Sequence, residues 1–460
     1  MRKAVLGSIA ALTAGAGVAN AQGFPNSPAA GVTPANGYGQ VIPPNFGGGD
    51  PGIIPNEAPA PNGAPSYPPP GQYGAPPGGD AGGFGAPSRL VAPHYWFNSE
   101  YLLWFARAQP TSTPYVTTSA RSDAGILGRP STSILFGKSD LGYGTFSGFR
   151  LSGGWWRGED RRIGFEFGGM LTEKKGNYYF AQSDNNGVPV ISRPFTDATS
   201  GNQGFLAVSF PNFASGSILA LTTTQTFGAD GNMLVNLFRS CPDEGMPISI
   251  SGLAGFRYLD IQERLNITSA STLLGQNTTT FTGLTVNAPA TIGVSDDFNA
   301  TNRFYGGQLG LKGEVRYNKL TIGFTGKVAA GLMNQTLDLT GHSTVNDPTR
   351  GIAAVAPGGL FVSPQANGRY RNDEFAVIPE GVVQVGYNWS SWLTSYVGYT
   401  FLYANRVVRP GNQLSSTINP GVTPTSPTFG GGGFVNTPNN VLRQDEFWLQ
   451  GVSFGILAKY

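Results

Sequence analysis

No stretch of this 460-residue chain is apolar for long enough to cross a membrane as a helix. Such a helix needs ~20 apolar residues, and the run from Val5 to Val18 falls short of that. An integral membrane protein without one has to be a closed barrel, because each unpaired backbone group in lipid costs several kcal/mol. Charge is scarce too. Asp, Glu, Lys and Arg make up 12% of the residues, about half of the ~25% usual for a soluble domain. The net charge of +2 gives no basic patch and no sign of a nucleic-acid partner. There is one cysteine, Cys241 in SCPDEG, so no internal disulfide holds the chain together; it reads as a turn or buried cysteine. The two histidines, His94 and His342, lie far apart in sequence. Metal and nucleophile–base chemistry leans on histidine. Asp296 and Asp297 are adjacent and so point to opposite faces of a strand. The Gly-rich run 430–434 lacks the Lys-Ser/Thr of a phosphate loop. The expectation is therefore no catalytic site, no cofactor and no metal.

What the chain does have begins with an export pattern. Residues 1–21 combine Arg2 and Lys3, the apolar run, and the small-x-small sequence Ala19-Asn20-Ala21, as in a secretory signal peptide. Residues 22–88 are dense in Pro, Gly, Ala and Asn and lack hydrophobic periodicity. Such a segment cannot bury enough apolar surface to offset its ordering entropy, so it reads as a disordered periplasmic linker. A sharper expectation is that it contacts the cell wall, although no residue in it identifies a wall ligand. The folded part is expected over 89–460.

The folded part is organised around Arg303 to Leu332. Tyr305, Leu309, Leu311, Val315 and Tyr317 alternate with Gln308, Lys312, Glu314 and Arg316. After the turn Asn318-Lys319, Leu320, Ile322, Phe324, Val328 and Leu332 alternate with Thr321, Thr325 and Lys327. These two-faced strands exceed the ~4–8 residues typical of a soluble domain and match a transmembrane strand of ~10 tilted residues. The same pattern recurs over 95–107, 146–157, 162–171, 227–239, 248–264, 375–388, 393–406 and 447–460, and fades after Leu259. Trp96, Phe97, Trp104 and Phe105 suit interfacial girdles, and Glu100 must face a wet lumen or pair with a cation. Short connections near 158–161, 240–247, 318–319 and 389–392 alternate with long ones near 108–145, 173–226, 265–302, 341–374 and 407–445. Tight turns at one end and long loops at the other are the pattern of bacterial outer-membrane barrels. The fold class predicted is an all-β, antiparallel transmembrane β-barrel of about 10–12 strands with long external loops. The upper figure allows for a hidden pair around Tyr178–Phe180 and Phe205–Phe210.

Several stretches resemble the beta-barrel porin-7 (BBP7) family of bacterial envelope proteins. They include FNSEYLLWF (97–105), ILFGKSDLGYGTFSGFRLSGGWW (134–156), LAGFRYLDIQERL (253–265), DFNATNRFYGGQLGLKGE (297–314), VGYTFLYANRVVRPGNQL (397–414) and FWLQGVSFGI (447–456). The resemblance spans about residues 95–460 and implies a porin-like outer-membrane barrel. It carries over no substrate.

Alternation places Arg150, Arg162, Glu166, Arg257, Lys312, Glu314, Arg316, Lys327 and Glu380 toward the lumen. Two readings stand: a polar channel whose charges tune passage, or a plugged core of mutually paired charges. Glu314 and Arg316 share a face and are expected to pair. Arg409 to Gln413 reads as a loop-entry turn, with a constriction folded into the lumen as the other reading. The functional expectation is passive diffusion of small polar solutes or ions; the alternative is a closed structural or surface-interaction barrel whose loops bind envelope or external partners. The lipid bilayer is the expected environment. The terminal strand, ending in the aromatic Tyr460, is expected to engage the barrel assembly machinery.

Overall fold

The structure, a computed structural model, describes residues 94–111, 113–240, 245–431 and 442–460. The expected signal peptide, the linker and Cys241 lie outside the described residues. Ten strands form a closed ring: β1 (Tyr95–Ala106), β2 (Thr145–Arg157), β3 (Ile163–Thr172), β4 (Ala214–Arg239), β5 (Ile248–Leu273), β6 (Thr291–Tyr317), β7 (Leu320–Asp347), β8 (Gly368–Asn388), β9 (Leu393–Val408) and β10 (Gln444–Lys459). Each pairs antiparallel with its sequence neighbour, and β10 returns to β1, from Trp96↔Lys459 to Ala106↔Leu449. Tyr95 and Tyr460 exchange backbone hydrogen bonds of 2.9 and 2.8 Å at the seam. The ring therefore leaves no barrel strand with a free edge, as lipid demands.

The polarity of the strands locates the membrane. In β6, outward-facing Tyr305, Leu309, Leu311 and Tyr317 are exposed, while Gln308 on the inner face is buried. Leu320, Ile322, Phe324, Val328 and Leu332 do the same on β7, and Phe375, Val383 and Val385 on β8. All ten strands add apolar side chains to this outward belt. Rings border it at both ends: Phe227, Tyr258 and Tyr305 toward the long loops, and Trp155, Phe167, Tyr387 and Trp389 toward the short turns. These are the aromatic girdles of a bilayer-spanning barrel. Beyond the upper girdle the faces exchange character. On β5 the outward residues become Asp260, Gln262, Arg264 and Thr268, while Leu259, Ile261, Leu265 and Ile267 are buried inside. The pattern does not end at Leu259. It changes sign where the strand leaves lipid for water.

Four strands, β4 to β7, each run 26–28 residues and rise well past the belt. Segment Lys175–Gln182 pairs with β4 there, and Ile352–Pro357 pairs with β7. A separate five-stranded sheet, from Pro114–Thr118, Ser133–Gly137, Ile191–Asp197, Gln203–Ser209 and Thr417–Ile418, lies at this end. Its Tyr115, Val116, Ile191 and Val208 share one buried core with Leu265, Ile267, Phe298 and Leu337 of the tall strands. The long loops thus fold into a compact head on the barrel.

Several expectations change. The segments around Tyr178–Phe180 and Phe205–Phe210 are strands, but they sit in the head and leave the ring at ten. The long connections at 173–226, 265–302 and 341–374 are shorter than expected, because the tall strands carry on into them. Trp104 is not a girdle residue. Even-numbered positions of β1 face inward, so Trp104 is fully buried in the lumen, and Trp96 packs against Trp156 with ring centroids 5.8 Å apart. Only Phe97 and Phe105 of that quartet face out as exposed rings.

Candidate functional site

The candidate site is the lumen, and it is layered. At mid-belt the inner positions of six strands carry Arg150, Arg257 and Lys327 against Glu100, Asp230 and Glu380. Glu380 is the hub. It meets Arg150 at 3.3 Å, Lys327 at 3.4 Å, and Arg257 in a direct ion pair. Lys327 also reaches Asp230 at 3.2 Å, and Arg150 lies 3.7 Å from Glu100 on the neighbouring strand. Several of these contacts cross the barrel, since β2 and β8, or β4 and β7, are not neighbours in the ring. Three cations face three anions, so the layer is neutral. Gln308 extends it, donating to Asn232 at 2.5 Å, and Tyr396 donates to Asn98 at 2.8 Å. Gly455 makes room for the Tyr396 ring, which a side chain there would strike.

Above this layer the lumen is apolar. Leu102, Trp104, Phe146, Met170, Leu259, Phe304, Met333, Ile378, Leu402, Phe447 and Leu449 form one buried cluster contributed by strands all round the ring. Arg150 bridges the layers, with its guanidinium 5.1 Å from the Trp104 ring centre. A ten-stranded barrel is narrow enough for side chains to fill it, and here they do.

The outer mouth is latched. Arg409, fully buried, donates to both carboxylate oxygens of Glu263 at 2.7 and 2.8 Å. It also donates to the carbonyls of Ala108 and Arg107 at 2.8 and 3.0 Å. Burial alone would lower the Arg409 value, but the Glu263 carboxylate outweighs it and holds the guanidinium above its usual range. Burial pushes the nearby Tyr143 phenol up, and Glu263 pushes it further. The Arg409 segment therefore folds over the lumen instead of forming a simple loop-entry turn, because a bidentate carboxylate partner outweighs Pro-Gly turn chemistry. Higher in the head, Arg193 pairs with Asp296 at 2.5 Å, both fully buried. Asp296 also accepts from the backbone of Leu360, Phe361 and Val362. Asp297, one residue on, faces out and pairs with Arg264.

Of the residues assigned to the lumen from the sequence, Arg150, Arg257, Lys327 and Glu380 meet in the central layer. Lys312 and Glu166 pair at 2.7 Å nearer the short turns. Glu314 and Arg316 pair at 2.5 Å at the rim, as their shared face implied. Arg162 is placed differently: it is exposed in the turn before β3. Arg161 takes the left-handed conformation, φ 48°, and is the buried arginine of that turn. Glu100, expected to face a wet lumen or pair with a cation, sits in the central layer beside Arg150. Asp230 also belongs to that layer but was not among the residues assigned to the lumen, although it alternates with Ala229.

Residues 96–460 match the family model described as Putative beta barrel porin-7 (BBP7). No curated protein matches the chain. Among solved structures, the outer membrane protease OmpT from Escherichia coli is 10% identical over 80% of this chain and 97% of its own, with TM-score 0.34. A Pseudomonas aeruginosa FadL homologue is 8% identical over 82% and 93%, with TM-score 0.22. Pseudomonas putida OprB is 8% identical over 80% and 94%, with TM-score 0.16. With its closed ten-stranded ring, apolar outer belt and family match over 96–460, this chain is an outer-membrane β-barrel belonging to the BBP7 family.

Proposed function

We propose that this protein is a closed barrel at rest, anchoring a folded external head that contacts envelope components or external partners. The observation that carries this reading is the apolar layer from Trp104 and Phe304 to Phe447, whose side chains are fully buried inside the ring above the neutral ion-pair layer. The head supports it, since its long segments pack into a shared core instead of lining a channel mouth. Export through residues 1–21 and insertion through the terminal strand complete the proposal.

A second reading is gated diffusion of small polar solutes. It is favoured by the central charges being paired across the barrel, where a strand shift would part them. Single-channel recording in planar bilayers separates the two. The folded protein, checked by its heat-dependent gel mobility, is expected to be silent, and Phe304→Ala with Met333→Ala is expected to leak. Stable conductance steps from the unaltered protein would sink the closed-barrel reading.

A further inference from the structure

The short-turn end of the lumen carries an excess of positive charge. Among the described residues, Arg161, Arg239, Lys312, Arg316 and Lys459 gather there, against Glu166 and Glu314. Lys312 is taken by Glu166 at 2.7 Å, and Glu314 is shared between Arg316 at 2.5 Å and Lys459 at 3.9 Å. Arg161 and Arg239 form no ion pair with a carboxylate among the described residues. The charged neighbours of Arg239 are Arg161, Arg316 and Glu314; those of Lys459 are Glu314, Arg316 and Lys312.

Two local features aim these groups inward. A register shift between Ile250 and Ser251 pairs Phe238 with Ile250 and Arg239 with Ser249. Leu237 and Phe238 therefore both face out, and Arg239 turns to the inner face, the usual effect of a β-bulge. Arg161, in its left-handed turn position, is 7% exposed and its Nε has no hydrogen-bond partner among the described residues. Glu159 and Asp160 on the same turn are exposed and form no ion pair with it. A buried guanidinium without an anion is costly, and a planar fork with free N–H groups suits a phosphate oxyanion.

We propose that the periplasmic vestibule of this barrel is a binding site for a phosphate group, free or on a lipid headgroup, held by Arg161 and Arg239 with Arg316 and Lys459 nearby. The site lies below the central layer, so it stands whether the lumen above is closed or gated.

Titration calorimetry of the folded full-length protein in phosphatidylcholine nanodiscs, with inorganic phosphate at constant ionic strength, tests it. Saturable binding is expected, weakened about ten-fold by Arg161→Gln and by Arg239→Gln, the scale of one charge-assisted hydrogen bond. Arg239→Gln at the strand end guards against misfolding of the turn variant. Lys174→Gln, exposed on the head side, should change nothing. Repeating the titration in phosphatidylglycerol nanodiscs identifies the source: competition supports a lipid headgroup, and unchanged binding supports free phosphate. No saturable binding would overturn the proposal. Binding equal in all variants, or lost equally in Lys174→Gln, would also overturn it.

Discussion

Replacing Glu380 with Gln keeps the side-chain volume and removes one charge from a balanced set. Arg150, Arg257 and Lys327 would then share Glu100 and Asp230 alone. At an effective dielectric near 20, a pair at 3.3–3.4 Å attracts by about 5 kcal/mol before desolvation. Most of that is offset by the cost of holding charges away from water, and breaking one member of a buried network leaves a net loss of about 3–5 kcal/mol. Urea titration in phosphatidylcholine vesicles, followed by tryptophan fluorescence, should show that loss as an earlier midpoint with an unchanged slope. Adding Arg257→Met should return part of it, since the second change removes the uncompensated cation. The same variant should stay silent in planar bilayers, because Trp104 and Phe304 seal the layer above. A loss below about 1 kcal/mol would refute the reasoning, since exposed ion pairs are worth about that. It would mean that Glu380 sits in free water.

Three further outcomes follow from the geometry. Leu311→Arg, midway between the two girdles on the outer face, should cost about 2–4 kcal/mol of stability in vesicles, whereas Arg at the already polar outward position Thr301 should cost far less. Glu263→Gln should strand the buried Arg409 and cost about 3–5 kcal/mol, and limited proteolysis should then cut near 409–413 faster than in the unaltered protein. Asp123 and Asp347 are held below the usual carboxylate range, first of all by hydrogen bonds from the side chains of Ser131 and Thr349 respectively. Their folded values lie below the unfolded one, so their contribution is fully present above about pH 4 and fades as pH falls through the lowered values. Hydrogen exchange should show the amides of Ser131, Thr349 and Arg350 losing protection in that acid window and not between pH 5 and 8.

Much of the barrel could be read from alternation because lipid imposes one rule on every strand it touches. The hairpin from Tyr305 to Leu332 obeys that rule, and so do 375–388 and 393–403, up to the register shift between Ala404 and Val407. The head was hidden for a related reason. Above Tyr258 and Tyr305 the inner face becomes the apolar one, so a search for a constant greasy side loses the strand at the girdle. Trp104 was misplaced because a tryptophan near a strand end fits either a girdle or a core, and only the parity of β1 decides. Arg161 and Arg162 could not be told apart, since the choice rests on one left-handed backbone position. The pairing partners of Glu380 come from strands distant in sequence, and only ring closure brings them together.

The tall strands carry one mechanical consequence. β4 to β7 pass from lipid to head without a break in their ladder of backbone bonds, so no joint exists on that flank. The flank formed by β9, β10, β1, β2 and β3 ends sooner and is fastened upward by side chains such as Arg409. A tug on whatever the head grips would travel straight down the unbroken side into the bilayer, and any yielding would start on the other. The molecule is built less like a lidded jar than like a rivet whose shank and cap are forged from the same rods.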